Sequence, residues 1–173
     1  MRTMFSSDQI AARIAELGPQ IRQSMGPVPI TAIVVLKGSV IFASDLVRAI
    51  QGDVRLEFLG VSSYEGTEST GHVRITHDLK RSIAGKHCLV VEDIVDTGLT
   101  LHYLLAQLRA RDPATLKVVS LLDKPSRRTV DVQADFVGFT IEDEFVIGYG
   151  LDLDERYRNL PEVAIYEPQI DGT

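Results

Sequence analysis

The stretch Val90-Val91-Glu92-Asp93-Ile94-Val95-Asp96-Thr97-Gly98-Leu99-Thr100 decides how this chain is read. Residues 87–91 have the length and apolar composition of a buried strand, and they run directly into two adjacent carboxylates, Glu92 and Asp93. Asp96 follows, then a small, hydroxyl-bearing turn of Thr97, Gly98 and Thr100. Leu101, Leu104, Leu105 and Leu108 recur at helical spacing after it. Backbone N–H groups and hydroxyls at a helix N-terminus form an anion site, and Gly98 lets the backbone come close to the anion.

Outward from that stretch the pattern repeats. Residues 31–36, 55–61, 73–76, 116–122, 136–141 and 163–166 read as further strands. Ser6 and Gln9 have capping-box spacing ahead of Ile10, Ile14, Leu17 and Ile21, which predicts a helix closed by Gly26-Pro27. Residues 40–50 predict a second helix, residues 62–71 a polar loop, and residues 145–161 an irregular charged segment. Strands alternating with helices imply an α/β fold, a mainly parallel sheet flanked by helices, in a single domain over residues 1–173. Ligands in such folds sit at the carboxyl ends of the strands, so the loops after Leu36, Val91 and Leu122 should share one mouth.

Composition narrows the classes. Apolar residues make up 45% of the chain and charged residues 24%, an ordinary globular balance. The net charge of −6 disfavours a nucleic-acid or membrane surface as partner, although a local basic pocket is compatible with it. Cys88 lies alone in an apolar run, so no internal disulfide forms and a core role is expected. Residues 1–9 hold no signal-peptide pattern and no run approaches the roughly 20 apolar residues of a membrane span, so a cytoplasmic location is expected. His72, His77, His87 and His102 have no metal-ligand spacing.

Carboxylates beside an anion site have few uses. They can grip the hydroxyls of a ribose and, through water, its Mg²⁺, or act as a general base. The stretch from Val90 to Thr100 resembles the phosphoribosyl pyrophosphate signature of the type I phosphoribosyltransferases. The resemblance implies that fold, with a small hood from the terminal segments. It implies that Glu92 and Asp93 bind the ribose hydroxyls and Mg²⁺, and that Asp96, Thr97, Gly98, Leu99 and Thr100 hold the 5′-phosphate.

Three further segments resemble the hypoxanthine-guanine phosphoribosyltransferases. Leu36-Lys37-Gly38-Ser39 is similar to that family's pyrophosphate loop, in which the peptide bond before the lysine is often cis. Some members carry a second glycine where this chain has Ser39. Residues 63–71, beginning Ser63-Tyr64, resemble its long mobile lid. Lys124, followed about twenty residues later by Phe145-Val146 and then Asp152, resembles its base-binding half. By resemblance, Lys124 donates to the purine O6, Phe145 stacks on the ring, and the Val146 backbone meets the base edge. Asp152 helps hold a second Mg²⁺, and Arg158 joins Lys37 and Gly38 at the pyrophosphate. Asp96 serves as the catalytic group at purine N7. Arg127 and Arg128 lie near Lys124 and read chiefly as solvated, with one of them bracing the base pocket as the alternative. The activity implied is transfer of the phosphoribosyl group from phosphoribosyl pyrophosphate to N9 of hypoxanthine or guanine, giving IMP or GMP and pyrophosphate. Other acceptors such as xanthine, and a nucleic-acid-binding regulator on the same fold, are the alternatives. A homo-oligomer, dimer or tetramer, is expected.

Overall fold

The computed structural model describes residues 1–64 and 72–167. Its main sheet contains β2 (Ile30–Leu36), β3 (Val54–Tyr64), β4 (His72–His77), β5 (His87–Val95), β6 (Thr115–Asp123) and β7 (Phe136–Thr140). The order is β4-β3-β2-β5-β6-β7, parallel throughout except for the antiparallel edge strand β4. Three helices cover it: α1 (Ser7–Met25), α2 (Val40–Ala49) and α3 (Leu99–Arg109).

The central strands read as continuous apolar runs because both faces are covered. Along β2, Ala32 and Val34 pack with Ile10, Ile14, Leu17, Phe42 and Leu46 of α1 and α2. Ile33 and Val35 turn to the other face, with Leu101, Leu104 and Leu108 of α3. β5 alternates in the same way, Leu89 and Val91 on the first face and Cys88 and Val90 on the second. Cys88 is fully buried, as expected of a core thiol. At the start of α1, the Gln9 N–H donates to Ser6 Oγ and the Ser6 N–H donates to Gln9 Oε1, so the capping box forms.

Several boundaries differ from the sequence reading. β5 does not end at Val91. Its ladder with β6 continues through Glu92↔Ser120 and Ile94↔Leu122 to Val95↔Asp123, so the two acids lie on a strand and point to opposite faces of it. β3 likewise runs on to Tyr64 because β4 pairs back along it, Ser63 opposite Val73 and Tyr64 opposite His72. The rest of the expected lid, residues 65–71, lies outside the described residues, as do the side chains of Ser63 and Tyr64.

The terminal segments form the expected hood, a small sheet of order β1-β9-β8. β1 (Arg2–Phe5) was not legible in the sequence, and β8 (Val146–Ile147) falls in a segment read as irregular. Both are short, and both are specified by pairing with β9 (Val163–Ile165) rather than by a pattern of their own. Stacking of Phe5 on Phe139, with ring centroids 4.0 Å apart, ties the hood to the main sheet. Among the described residues no helix is long and apolar enough to cross a membrane.

α1 meets α2 where Gly18 faces the end of α2, and a Cβ on Gly18 would lie 2.2 Å from the Ala49 carbonyl oxygen. Backbone cannot yield as a flexible side chain can, so Gly18→Ala should part the two helices. The expected loss is about 1–3 kcal/mol, the usual cost of overpacking, read as a lowered denaturant midpoint with an unchanged slope.

Candidate active site

Glu92 and Asp93 open the site from the end of β5. The Glu92 side chain is buried, and burial, then the neighbouring charge of Asp93, raises its pKa well above the usual carboxylate range. Asp93 is pushed from 3.8 up to about 6, chiefly by burial. Hydrogen bonds from the Ile94 and Asp93 N–H groups and the charge of Arg158 pull it back, and Asp152 pushes it further up. The first of these bonds, Ile94 N–H to Asp93 Oδ1, measures 2.8 Å.

The turn after β2 reaches the same place. The Leu36–Lys37 peptide is cis, a point the sequence alone left open. A Cβ on Gly38 would lie 1.7 Å from Asp93 Oδ2, so the carboxylate rests on bare backbone there. A third segment closes on the turn from outside, where a Cβ on Gly150 would lie 2.1 Å from the Gly38 carbonyl oxygen. Gly150 has φ +102°, a conformation that glycine adopts freely.

A cavity of about 290 Å³ forms between these segments and the start of α3. Gly38, Glu92, Asp93, Asp96, Thr97, Gly98 and Thr100 all line it. Gly98 caps α3 with φ +85°, and Thr97 Oγ1 accepts from the Leu99 N–H at 3.3 Å. Leu99 itself turns its side chain to solvent, 49% exposed, so only its backbone faces the cradle side. The first N–H groups of α3 have no partner within the helix, which leaves donors for an anion.

The base-binding candidates cluster beside the cavity, not in it. Lys124 follows β6, and its N–H donates to the Val95 carbonyl at 2.9 Å, locking it to the acidic strand. Its side chain is buried, and its ammonium stands 3.8 Å from Asp143 Oδ1, beyond hydrogen-bond reach. Phe145, two residues past Asp143, is 51% exposed and meets Tyr166 edge-on at 6.1 Å. Val146 is buried in the hood sheet opposite Ile165.

Lys37, Asp152 and Arg158 form a separate polar group on the rim. Arg158 Nη1 donates to the Gly150 carbonyl at 2.8 Å and pairs with Asp152 Oδ1 at 3.0 Å. Its Nε is buried without a partner. Lys37 Nζ and Arg158 Nη2 each lie 3.0 Å from one carboxylate, that of Glu155.

Sequence reasoning missed Glu155 and Asp143, and it gave Arg128 chiefly a solvated role. Arg128 is far from solvated: it pairs with Asp123, and its Nη1 donates to the Asp96 carbonyl at 2.5 Å. Arg127 Nε donates to Asp96 Oδ1 at 3.1 Å, so two adjacent arginines hold one aspartate by its backbone and its carboxylate. The only cue in the sequence was the pair of arginines close after Lys124.

Glu92 and Asp93 on the strand, helix N-terminal donors beside them and a cationic rim on a parallel sheet suit a phosphate-bearing sugar. The chain belongs to the phosphoribosyltransferase family, whose phosphoribosyl transferase domain model matches residues 4–154. It is 44% identical over 170 residues to the hypoxanthine-guanine phosphoribosyltransferase of Bacillus subtilis, covering 98% of this chain and 94% of that one. Identity to the Mycobacterium tuberculosis enzyme of the same name is 46% over 174 residues, covering 96% and 86%. Among solved structures, a hypoxanthine-guanine phosphoribosyltransferase from Bacillus anthracis superposes with TM-score 0.92 at 46% identity, over 96% of this chain and 99% of that one. A hypoxanthine phosphoribosyltransferase from Staphylococcus aureus gives 0.93 at 42% identity, over 100% and 95%.

The raised pKa of Asp93 carries a consequence for stability. The folded chain holds that proton more tightly than the unfolded chain does, so this group's contribution to stability falls as pH rises from about 4 to about 6. Asp93→Asn keeps an acceptor for the Ile94 N–H and removes the charge. Its Tm should match the parent's near pH 4 and exceed it by several degrees at pH 7. Equal Tm values at both pH values would show that Asp93 is not held against burial.

Proposed function

We propose that this chain transfers the 5-phosphoribosyl group from phosphoribosyl pyrophosphate to N9 of hypoxanthine or guanine, releasing pyrophosphate and IMP or GMP. The observation that carries the choice of base is Lys124. Its side chain is buried, and the ammonium at its end stands 3.8 Å from Asp143 Oδ1, too far for a hydrogen bond. A cationic donor on a largely buried side chain, with its nearest carboxylate outside hydrogen-bond distance, suits the carbonyl O6 of a 6-oxopurine and repels the amino group at the same position of adenine. The exposed ring of Phe145 offers a stacking face close by.

The cradle at Thr97–Thr100 would take the 5′-phosphate, and Glu92 and Asp93 the ribose hydroxyls. As the bond from C1′ to the pyrophosphate oxygen breaks and that from C1′ to N9 forms, the purine loses a proton. Asp96, whose carboxylate accepts from Arg127 Nε, would receive it at N7. The cationic rim of Lys37 and Arg158 and the turn at Gly38 would meet the departing pyrophosphate.

The donor set fits Mg²⁺. Glu92, Asp93 and Asp152 offer hard oxygen ligands, and burial, with neighbouring carboxylate charge behind it, raises the pKa values of the first two. Among the described residues no three acidic or histidine side chains form a ready metal cage. That suits a metal carried in by substrate oxygens and met by one or two carboxylates. Once bound, Mg²⁺ would neutralise the pyrophosphate charge. For the expected homo-oligomer, support comes from exposed apolar side chains, Val40 and Ile41 on α2 and Leu56 and Phe58 on β3. An open groove of about 640 Å³ between α1, α2 and the hood adds to it.

The test is turnover with Mg²⁺ and phosphoribosyl pyrophosphate on hypoxanthine, guanine, xanthine and adenine. Hypoxanthine or guanine should lead, and excess chelator should stop the reaction. In Lys124→Ala, kcat/KM for the oxopurines should fall by about 2–4 kcal/mol and for adenine by less. Equal losses on all bases would make Lys124 a structural residue.

A further inference from the structure

Two cations assigned above to pyrophosphate, Lys37 and Arg158, are already paired, and with the same carboxylate. Glu155 Oε2 lies 3.0 Å from Lys37 Nζ, and Glu155 Oε1 lies 3.0 Å from Arg158 Nη2. One anion with two oxygens bridges two cations from distant parts of the chain, as a phosphoryl group would bridge them.

The placement is built into the loop. Asp154, Glu155 and Tyr157 have φ values of +51°, +62° and +75°, a region L-residues rarely enter. The Glu155 N–H donates to Asp152 Oδ2 at 2.9 Å, which fixes the turn that carries the carboxylate. Stability does not account for this arrangement. The Glu155 side chain is 63% exposed and that of Lys37 67%, and ion pairs so open to water contribute little to folding. Nor does Glu155 satisfy Arg158 completely, since the buried Nε remains without a partner.

We propose that Glu155 is an internal counter-anion of the pyrophosphate subsite. It occupies Lys37 and Arg158 in the free enzyme, gives way when pyrophosphate arrives and replaces it as pyrophosphate leaves. The inference rests on the reading of Lys37 and Arg158 as pyrophosphate ligands. A highly charged leaving group facing a metal and two uncompensated cations would dissociate slowly, and release of product limits many enzymes. An exchangeable carboxylate weakens the bound state by competing with it, while leaving the cations in place for catalysis. Glu155 is therefore a positioning residue that sets affinity for the leaving group and the rate of its departure.

The experiment is calorimetric titration of the full chain with magnesium pyrophosphate, comparing the parent, Glu155→Gln, Arg158→Gln and the double variant. Glutamine keeps the shape of the side chain and removes its charge. Glu155→Gln should bind pyrophosphate roughly three- to tenfold more tightly, the range set by losing two exposed ion pairs as competitors. Its affinity for IMP, which does not reach these cations, should be unchanged. Arg158→Gln should bind pyrophosphate more weakly, and the double variant should lose most of the gain. Unchanged or weaker binding by Glu155→Gln, with Arg158→Gln impaired, would overturn the inference alone and make Glu155 a scaffold for the cations. Arg158→Gln with the parent's affinity would overturn the assignment of Arg158, and the inference would fall with it.

Discussion

The contact between the Gly38 turn and the Asp93 carboxylate sets the position of everything else in the site. Two strands, β2 and β5, run side by side in parallel, Val34 opposite Val91, and β5 continues to Val95 past the end of β2 at Leu36. The backbone leaving β2 crosses directly over an acid still carried on β5, with no room for even a methyl group between them. That approach brings a turn with cations on its far side against Asp93 and, beside it, the buried Glu92. Gly150 presses on the same turn from the hood, so the C-terminal part of the chain is aligned to it as well.

Charge follows from that geometry. Burial denies Glu92 and Asp93 their water, and the charge of Asp93 adds to the penalty on Glu92 as that of Asp152 does on Asp93. The cost is borne at the site, where a cation-bearing substrate can offset it. Cations are kept at the rim, Lys37 and Arg158 on one side and Arg127 and Arg128 on the other. Each pair is held by carboxylates that keep the arrangement stable without closing the cavity. The net charge of −6 therefore hides a site in which both signs are arranged within a few residues of one another.

Sequence patterns predicted those parts whose physics is local. The apolar run of β2, the capping box of α1 and the glycine-threonine opening of α3 depend on neighbours along the chain, and the structure has all of them. The parallel order followed from alternation of strands and helices. What escaped notice depends on distant partners. β5 looked as if it stopped at Val91 because acids rarely continue a buried strand, yet pairing with β6 carries it to Val95. β1 and β8 exist only because β9 lies between them. Arg128 passed for a solvated residue because nothing local shows that the Asp96 carbonyl will be beside it. Glu155 was overlooked for the same reason, since Lys37 lies 118 positions away from it.

The central claim is that Gly38 must be bare for the acidic strand to hold phosphoribosyl pyrophosphate. The most direct measurement is kcat/KM for that substrate in Gly38→Ala, with circular dichroism to show that the fold is kept. A methyl group aimed at Asp93 Oδ2 must displace either the carboxylate or the turn, and a misplacement on the order of 1 Å can cost about 10²-fold in rate. The account predicts a loss at least of that order in a folded protein. A folded variant with kcat/KM within about twofold of the parent would contradict it.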